Sequence, residues 1–558
     1  MARNARSRHL TQGPQRTPNR ALFRATGFTD TDFDKPVVGI ANGFNTTAPC
    51  NMGLNTLATR AAWALREAGA MPQRFGTIAV SGGVSMGTPG ARYALVSREV
   101  VADSIETVCD GQLMDGLLAI GAGDNDIPGA LMAIARLNIP AVFVHGGTMK
   151  PGHLHGRDLS IVSAIEAVGA YGAQRIDLQT LLDIERHACP GAGAGGGMSA
   201  ANTMAAAAEA LGMSLTRSST VAAEDAETAD TAGASARALM RAIDLNLRPR
   251  DLLTREAFEN AIALVMAIGG STDAVLHLLA IAHAAEVPLS IDDFEAIRRK
   301  VPVLCDLKPA GRYMTTDFHR AGGVPQVLRL LLDHGLLHGN SRTISGRTLA
   351  ETLAIIPGAP DPQQAVIHPW RDPVHPEGSV AVFGGNLAPG GAVARIAGIT
   401  SRSLTGPARI FDSEQAALAA ILDHRIHAGD VIVIRGQGPQ GGPGMCALMI
   451  VTSILVATGL GHQVGLITDG RVSSDANGLV VGHITPEAAV GGPIALLRES
   501  DPITIDIDHQ RLDVQLSEAD LASRQAQWHE PAETAKPGAV LAKYAKLVSS
   551  ASEGAVTR

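Results

Sequence analysis

The run Pro36-Val-Val-Gly-Ile-Ala41 is a short apolar segment that ends at a glycine-containing turn. Two similar runs, Gly76-Thr-Ile-Ala-Val80 and Ala141-Val-Phe-Val144, come later in the chain, and segments with helical periodicity, such as 56–68 and 199–211, follow runs of this kind. Apolar strands that alternate with helices are typical of a parallel sheet covered by helices. The sequence therefore predicts an N-terminal parallel-sheet α/β domain, which we place at residues 1–377.

The pattern changes after residue 378. Strand-sized apolar runs separated by turn residues now dominate, and they are found at 380–383, 431–434, 464–467 and 503–507. This pattern indicates a second, β-rich domain, which we place at residues 378–558. The segment 357–376 contains six prolines and is predicted to be the linker region.

Composition limits the class of protein. The chain has 558 residues, of which 46% are hydrophobic and 18% charged, so it can bury a large core. Its net charge of −8 gives no basic surface for nucleic acid. No uninterrupted apolar run reaches the roughly 18 residues of a membrane span. We expect a cytoplasmic protein without nucleic-acid or membrane partners, whose basic N-terminal stretch is a solvated arm rather than a targeting peptide.

Three glycine-framed segments carry side chains suited to chemistry. They are Thr47-Ala-Pro-Cys50-Asn-Met, Gly121-Ala-Gly-Asp124-Asn125-Asp-Ile-Pro-Gly129 and His187-Ala-Cys189-Pro-Gly-Ala-Gly-Ala-Gly195-Gly-Gly-Met198. In parallel sheets, ligands bind at the loops that follow the carboxyl ends of the strands. The loops that contain Cys50, Gly82, Asp124 and Thr148 are therefore expected to form the site.

These segments resemble the dihydroxy-acid dehydratases, in the wider family that includes the 6-phosphogluconate dehydratases. Further matching strings are Arg20-Ala-Leu-Phe-Arg-Ala-Thr-Gly27, Gly438-Pro-Gln-Gly-Gly-Pro-Gly444 and Thr468-Asp-Gly-Arg471. The resemblance extends from about Arg6 to Arg558. It implies that the second domain is a β-barrel whose loops close over the first domain, and that the chain forms a homodimer.

The resemblance also implies two cofactors, an iron-sulfur cluster held by three cysteines and a Mg²⁺ ion held by oxygen ligands. The cluster positions correspond here to Cys50, Gly123 and Gly195, and the magnesium positions to Gly82, Asp124, Asn125 and Ala447. Only Cys50 and Asp124 keep a ligating side chain of the family's type. Because clusters need several thiolates, the sequence predicts that both cofactors are absent and that no metal is bound.

In the family, a serine at the position of Ser473 removes the α-proton of the substrate. We predict Ser473 and Asp124 as catalytic residues, and the alternative for Ser473 is a ligand-binding or turn residue. A serine hydroxyl is a poor base unless a nearby cation lowers its pKa. The predicted substrate-binding residues are Cys50, Ser81, Asn125, Thr148, Ser474, Asp475 and Asn477.

Three functions are consistent with these residues. The first is an enzyme repurposed for lyase-type acid–base chemistry, without the cluster, on a small polar acid or a derivative of one. The second is a non-catalytic paralogue that binds a metabolite or pairs with an active dehydratase in a mixed dimer. The third is residual dihydroxy-acid dehydratase activity.

Overall fold

A four-stranded parallel sheet is the centre of the N-terminal half of the chain. The computed structural model describes residues 2–172, 174–399, 401–472, 478–530 and 538–558. The strands in this half are β1 (Val37–Asn42), β2 (Met71–Gly76), β3 (Gly116–Gly121), β4 (Ala141–His145), β5 (Gly152–Leu154) and β6 (Arg157–Leu159). The sheet order is β2-β1-β3-β4, and β5 and β6 form a separate hairpin.

Helices make up much of the rest of this half, and some of them cover the sheet. The helices are α1 (Arg8–Thr11), α2 (Thr17–Ala25), α3 (Leu54–Glu67), α4 (Tyr93–Gly111), α5 (Asp126–Leu137), α6 (Ile161–Gly172), α7 (Leu178–Ala188), α8 (Ala200–Ala210), α9 (Ala226–Leu245), α10 (Pro249–Leu252), α11 (Arg255–Ala267), α12 (Asp273–Ala284), α13 (Ile291–Arg298), α14 (Thr315–Arg320), α15 (Gly323–Asp333) and α16 (Leu349–Leu353). Helices α3 and α9 pack against each other and against the sheet, and α5 packs on β3, β4 and α4. Strands β3 and β4 are buried throughout, as expected for a parallel sheet with both faces covered.

The C-terminal half is built on an eight-stranded sheet. Its strands and helices are β7 (Val380–Phe383), β8 (Ala392–Arg395), β9 (Ser403–Phe411), α17 (Glu414–Leu422), β10 (Val431–Ile434), β11 (Ala447–Leu448), α18 (Met449–Ala457), β12 (Gly465–Thr468), β13 (Arg471–Val472), β14 (Leu479–Gly482), β15 (Pro502–Asp506), β16 (Arg511–Val514), α19 (Glu518–Gln527) and α20 (Ala539–Leu547). The strand order is β16-β15-β9-β10-β12-β14-β8-β7. The short strands β11 and β13 pair in parallel outside this sheet.

The two edges of the eight-stranded sheet almost meet. Gly384, which follows β7, donates its N–H to the Gln510 carbonyl at 3.0 Å, and its own carbonyl accepts from Leu512 of β16 at 2.8 Å. The sheet is therefore a nearly closed, barrel-like sheet. The predicted architecture, a parallel-sheet α/β part followed by a barrel-like β part, is confirmed at this level, and the boundary at residue 377 remains a prediction.

Two local predictions were wrong. The second strand lies at Met71–Gly76 rather than at 76–80, because β2 is the edge strand and exposes alternate side chains, so it has no continuous apolar run. The basic N-terminal arm is not simply solvated. The Asp115 carboxylate accepts hydrogen bonds from the backbone N–H groups of Arg6 and Ser7 at 2.8 and 3.1 Å, and Ser7 is buried.

Candidate active site

A cavity of about 390 Å³ lies where the loops of the parallel sheet face strands β11 and β13. The loops after β1, β2 and β3 supply one wall, as expected for the carboxyl edge of such a sheet. The glycine loop at 193–196 and the first residues of α8 supply another wall. The polar and thiol side chains that line the cavity include Cys50, Ser81, Asp124, Cys189, Asp273 and Arg471.

The predicted site residues are only partly brought together. Cys50, Ser81 and Asp124 line the cavity, whereas Asn125 and Thr148 do not. Both of the latter are completely buried. The hydroxyl of Thr148 accepts a hydrogen bond from Asn202 Nδ2 at 3.1 Å, which indicates a structural role for this side chain.

The remaining predicted residues, Ser473, Ser474, Asp475 and Asn477, lie outside the described residues. Arg471 and Val472, which directly precede them, both line the cavity. The predictions for this segment therefore stay predictions.

Arg471 and Asp273 are two site residues that the sequence reasoning missed. Arg471 lies in β13, and its side chain is only 2% exposed. Its Nη1 lies 3.1 Å from Asp273 Oδ2 and 4.0 Å from Asp124 Oδ2. The position of Arg471, two residues before Ser473, could have identified it as a site residue. Asp273 belongs to none of the segments that suggested a site.

Asp124 has the electrostatic environment of a proton-exchanging group. Burial raises the pKa of Asp124 to about 6, because desolvation disfavours the charged form. The Arg471 guanidinium opposes this shift, and the carboxylates of Asp273 and Asp126 add to it. A carboxyl group with a pKa near neutrality can act as either acid or base at physiological pH.

Cys50 is held as a neutral thiol. Burial raises the pKa of the Cys50 thiol well above its usual range, and the negative charges of Asp126 and Asp124 raise it further. Its Sγ donates to Asn51 Oδ1 at 2.9 Å, and Asn51 Nδ2 in turn donates to Asp126 Oδ2 at 3.0 Å. In this arrangement Cys50 is a weak nucleophile.

Three glycines stand at positions where the resemblance implied ligands, and their surroundings differ. A Cβ at Gly195 would meet no atom within 4 Å, and one at Gly82 would lie 3.4 Å from Ala94 Cβ. A Cβ at Gly123, by contrast, would lie 2.1 Å from Asp126 Oδ1. The first two positions can thus accept a side chain, whereas Asp126 already fills the space at the third.

Two buried carboxylates shape the glycine-rich loop at 436–444. Asp469 accepts hydrogen bonds from the N–H groups of Gly436 and Gln437 at 3.1 and 2.8 Å. Glu487 accepts from the N–H groups of Gln440 and Gly441, at 3.0 and 2.9 Å. Directly after the loop, the Met445 carbonyl accepts a hydrogen bond from Arg471 Nε at 2.8 Å, which helps to fix the cationic group of the cavity.

The fold and the cavity define a two-part protein with a ligand site between an α/β unit and a barrel-like sheet, and two family models match these two parts. The model described as dihydroxy-acid/6-phosphogluconate dehydratase N-terminal matches residues 35–352. The model described as dihydroxy-acid/6-phosphogluconate dehydratase C-terminal matches residues 365–555. The chain belongs to the dihydroxy-acid/6-phosphogluconate dehydratase family.

Curated relatives resemble the chain over its whole length. It is 61% identical to a dihydroxy-acid dehydratase of Synechococcus sp. (strain JA-3-3Ab), over 99% of this chain and 98% of the relative. It is 60% identical to one of Nitrosospira multiformis, over 100% of both chains. It is 61% identical to one of Chloroflexus aurantiacus, over 100% of this chain and 99% of the relative.

The prediction that the chain lacks cofactors is wrong on this comparison. Relatives that are about 60% identical over the full length are dihydroxy-acid dehydratases, and membership of this family implies an iron-sulfur cluster and Mg²⁺. The prediction considered only the aligned ligand positions. It left out another potential donor of the same cavity, the carboxylate of Asp273, because only the folded chain brings it there.

The described side chains do not by themselves form a complete ligand set for either group. Within the ranges that the structure describes, no cluster of three or more His, Cys, Asp or Glu side chains could hold a metal ion. We therefore derive no catalytic step through a cofactor. In the same ranges, no helix is both long enough and apolar enough to cross a bilayer.

Proposed function

We propose that the chain is a lyase-type enzyme of the dehydratase family that binds a small hydroxy acid in the cavity. The observation that carries this proposal is the buried guanidinium of Arg471 at the cavity wall, 4.0 Å from the carboxylate of Asp124. Guanidinium groups bind carboxylates through two parallel hydrogen bonds. The site thus offers a cation for the acid group of a ligand and, next to it, a group that exchanges protons.

The chemistry that suits this pair is elimination of water from a 2,3-dihydroxy acid. A base takes the proton from C2, the C3–O bond breaks, and the leaving hydroxide takes a proton and departs as water. The resulting enol becomes a 2-oxo acid by moving its proton from oxygen to C3. Asp124 can accept or donate one of these protons because its pKa is about 6. Ser473 stays our candidate for the base at C2.

A second candidate is a non-catalytic paralogue that binds a metabolite or pairs with an active dehydratase. Its support is the presence of glycine at Gly82, Gly123 and Gly195 in the cavity wall, where the resemblance implied ligand side chains. This candidate predicts binding of an acid without turnover.

We also propose that the chain forms a homodimer and acts in the cytoplasm.

The deciding experiment measures binding and turnover on the same sample. The full chain is purified without oxygen and supplied with ferrous iron, sulfide and Mg²⁺, and the Nitrosospira relative is treated in parallel. Calorimetry with short-chain 2,3-dihydroxy acids measures binding, and release of the 2-oxo acid measures turnover. Turnover supports the enzyme, and binding without turnover supports the paralogue. If the chain shows neither binding nor turnover while the relative is active, both proposals are rejected.

A further inference from the structure

Asp273 and Arg471 meet across the boundary between the two halves of the chain. Asp273 is the first residue of α12, and Arg471 belongs to β13. They are 198 positions apart in sequence, yet Arg471 Nη1 donates to Asp273 Oδ2 at 3.1 Å. Both side chains line the cavity, so this contact forms part of its wall.

Asp273 faces Arg471 from the first turn of a helix. The side chain lies in the first turn of a twelve-residue helix, where unpaired backbone N–H groups stabilise anions. Its other oxygen, Oδ1, has no hydrogen-bond partner among the described residues and lies 3.9 Å from His483 Nε2. Burial lowers the pKa of His483 to about 4, so this ring is uncharged at neutral pH. Within the described part of the chain, Arg471 is thus the cation that this carboxylate contacts.

Among the described residues, Arg471 has two carboxylates within reach, and they are not equivalent. Asp273 is in hydrogen-bond contact at 3.1 Å, whereas Asp124 lies at 4.0 Å, beyond a direct hydrogen bond. The Met445 carbonyl fixes Nε at 2.8 Å but carries no full charge. The contact with Asp273 therefore holds the guanidinium away from Asp124.

We propose that Asp273 is a positioning residue that keeps Arg471 and Asp124 apart, so that a ligand can use both. Without the negative charge of Asp273, the buried guanidinium would be left with Asp124 as its nearest carboxylate among the described residues, and an unpaired buried charge is strongly unfavourable. Arg471 and Asp124 would then form a direct ion pair, and neither group would be available to bind the acid ligand. The class of ligand in this inference rests on the proposed function. The separation of Arg471 and Asp124 can be tested in the protein without a ligand.

The first test is the crystal structure of Asp273→Asn, which keeps the shape of the side chain and removes its charge. The expected result is a direct ion pair between Arg471 and Asp124, at about 2.9 Å or less. An unchanged separation of 4.0 Å would overturn the proposal. The matched control is Asp430→Asn, because Asp430 is also buried and paired with an arginine, Arg409, at 3.0 Å, but lies outside the cavity.

The second test is calorimetric binding of a short-chain 2,3-dihydroxy acid to four proteins. Asp273→Asn should weaken binding at least tenfold, and Asp430→Asn should change it less than twofold. The double variant Asp124→Asn/Asp273→Asn should bind more tightly than Asp273→Asn alone, since it frees the guanidinium again. A purely structural role of Asp273 would not give this recovery. Equal or tighter binding by Asp273→Asn contradicts the inference, whereas no binding by the unaltered chain contradicts the proposed function.

Discussion

The carboxylate of Asp126 occupies the space that a side chain at Gly123 would need, since a Cβ there would lie 2.1 Å from Asp126 Oδ1. Asp126 is fixed in this place because its Oδ2 accepts hydrogen bonds from the N–H groups of Ala122 and Gly123, at 3.2 and 3.0 Å. Asn51 donates a third hydrogen bond to the same oxygen. The carboxylate of Asp126 can therefore keep this position only while residue 123 has no side chain.

Gly123→Ala is expected to lower the free energy of unfolding by about 1–3 kcal/mol, the usual cost of overpacking. Gly195→Ala should be neutral or stabilising by up to about 1 kcal/mol, because its Cβ would meet no atom within 4 Å. Urea unfolding of both variants checks this contrast. In an Asp126→Ala background, the cost of Gly123→Ala should shrink, and an undiminished cost would show that Asp126 is not the obstacle.

Arg98 ties the C-terminal residues to the α/β part of the chain. Its side chain is fully buried, and Nη2 donates to the carbonyls of Gly554 and Ala555 at 2.9 and 2.7 Å. Arg98→Met should lower the free energy of unfolding by about 3–5 kcal/mol, because the partner groups stay buried and lose their cation. Thermal unfolding measures the effect. Arg558→Met is the control, since its exposed pair with Glu553 contributes less than about 1 kcal/mol.

Glu209 and Glu487 should each contribute less to stability as the pH rises from 5 to 8, which is the opposite trend to that of buried histidines with a lowered pKa, such as His483. Burial raises the pKa of Glu209 and of Glu487 to about 7, from an ordinary value of 4.5. The folded chain therefore holds these protons more tightly than the unfolded chain. Their contribution is fully present below about pH 4.5 and is lost as the pH rises through 7, which amounts to about 1–3 kcal/mol per group.

Urea unfolding across this pH range tests the prediction on Glu487→Gln, whose side chain no longer titrates. Relative to the unaltered chain, the variant should become more stable by about 1–3 kcal/mol between pH 5 and 8. Glu553→Gln, at an exposed position, should leave the slope unchanged. A slope that is identical in all three proteins would assign the pH dependence to other groups.

Arg471→Lys tests the proposed recognition of an acid group. Lysine keeps the positive charge but lacks the planar fork that binds a carboxylate through two hydrogen bonds. We expect KM for a 2,3-dihydroxy acid to rise about tenfold or more, with a smaller change in kcat. Steady-state kinetics measure both values. Arg409→Lys, which alters an arginine outside the cavity, should leave them within twofold, and equal effects of the two variants would argue against a special role for Arg471.

The sequence by itself determined the two-part architecture and much of the loop composition of the site. Apolar runs predicted β1, β4, β7 and β10 closely, because a strand covered on both faces must be apolar along its length. The edge strand β2 escaped this signal, since only two of its six residues are buried. The glycine-framed segments likewise predicted that Cys50 and Asp124 belong to the site, and both line the cavity.

Only the tertiary structure decided which polar groups meet. The pair Asp273 and Arg471 joins residues 198 positions apart, and such a contact has no local pattern. Asn125 and Thr148 looked like ligand-binding groups from their loops, but folding buries both of them beside the cavity rather than in its wall. A sequence pattern records the periodicity of burial along one element, whereas the partners of a buried charge depend on how separate elements pack.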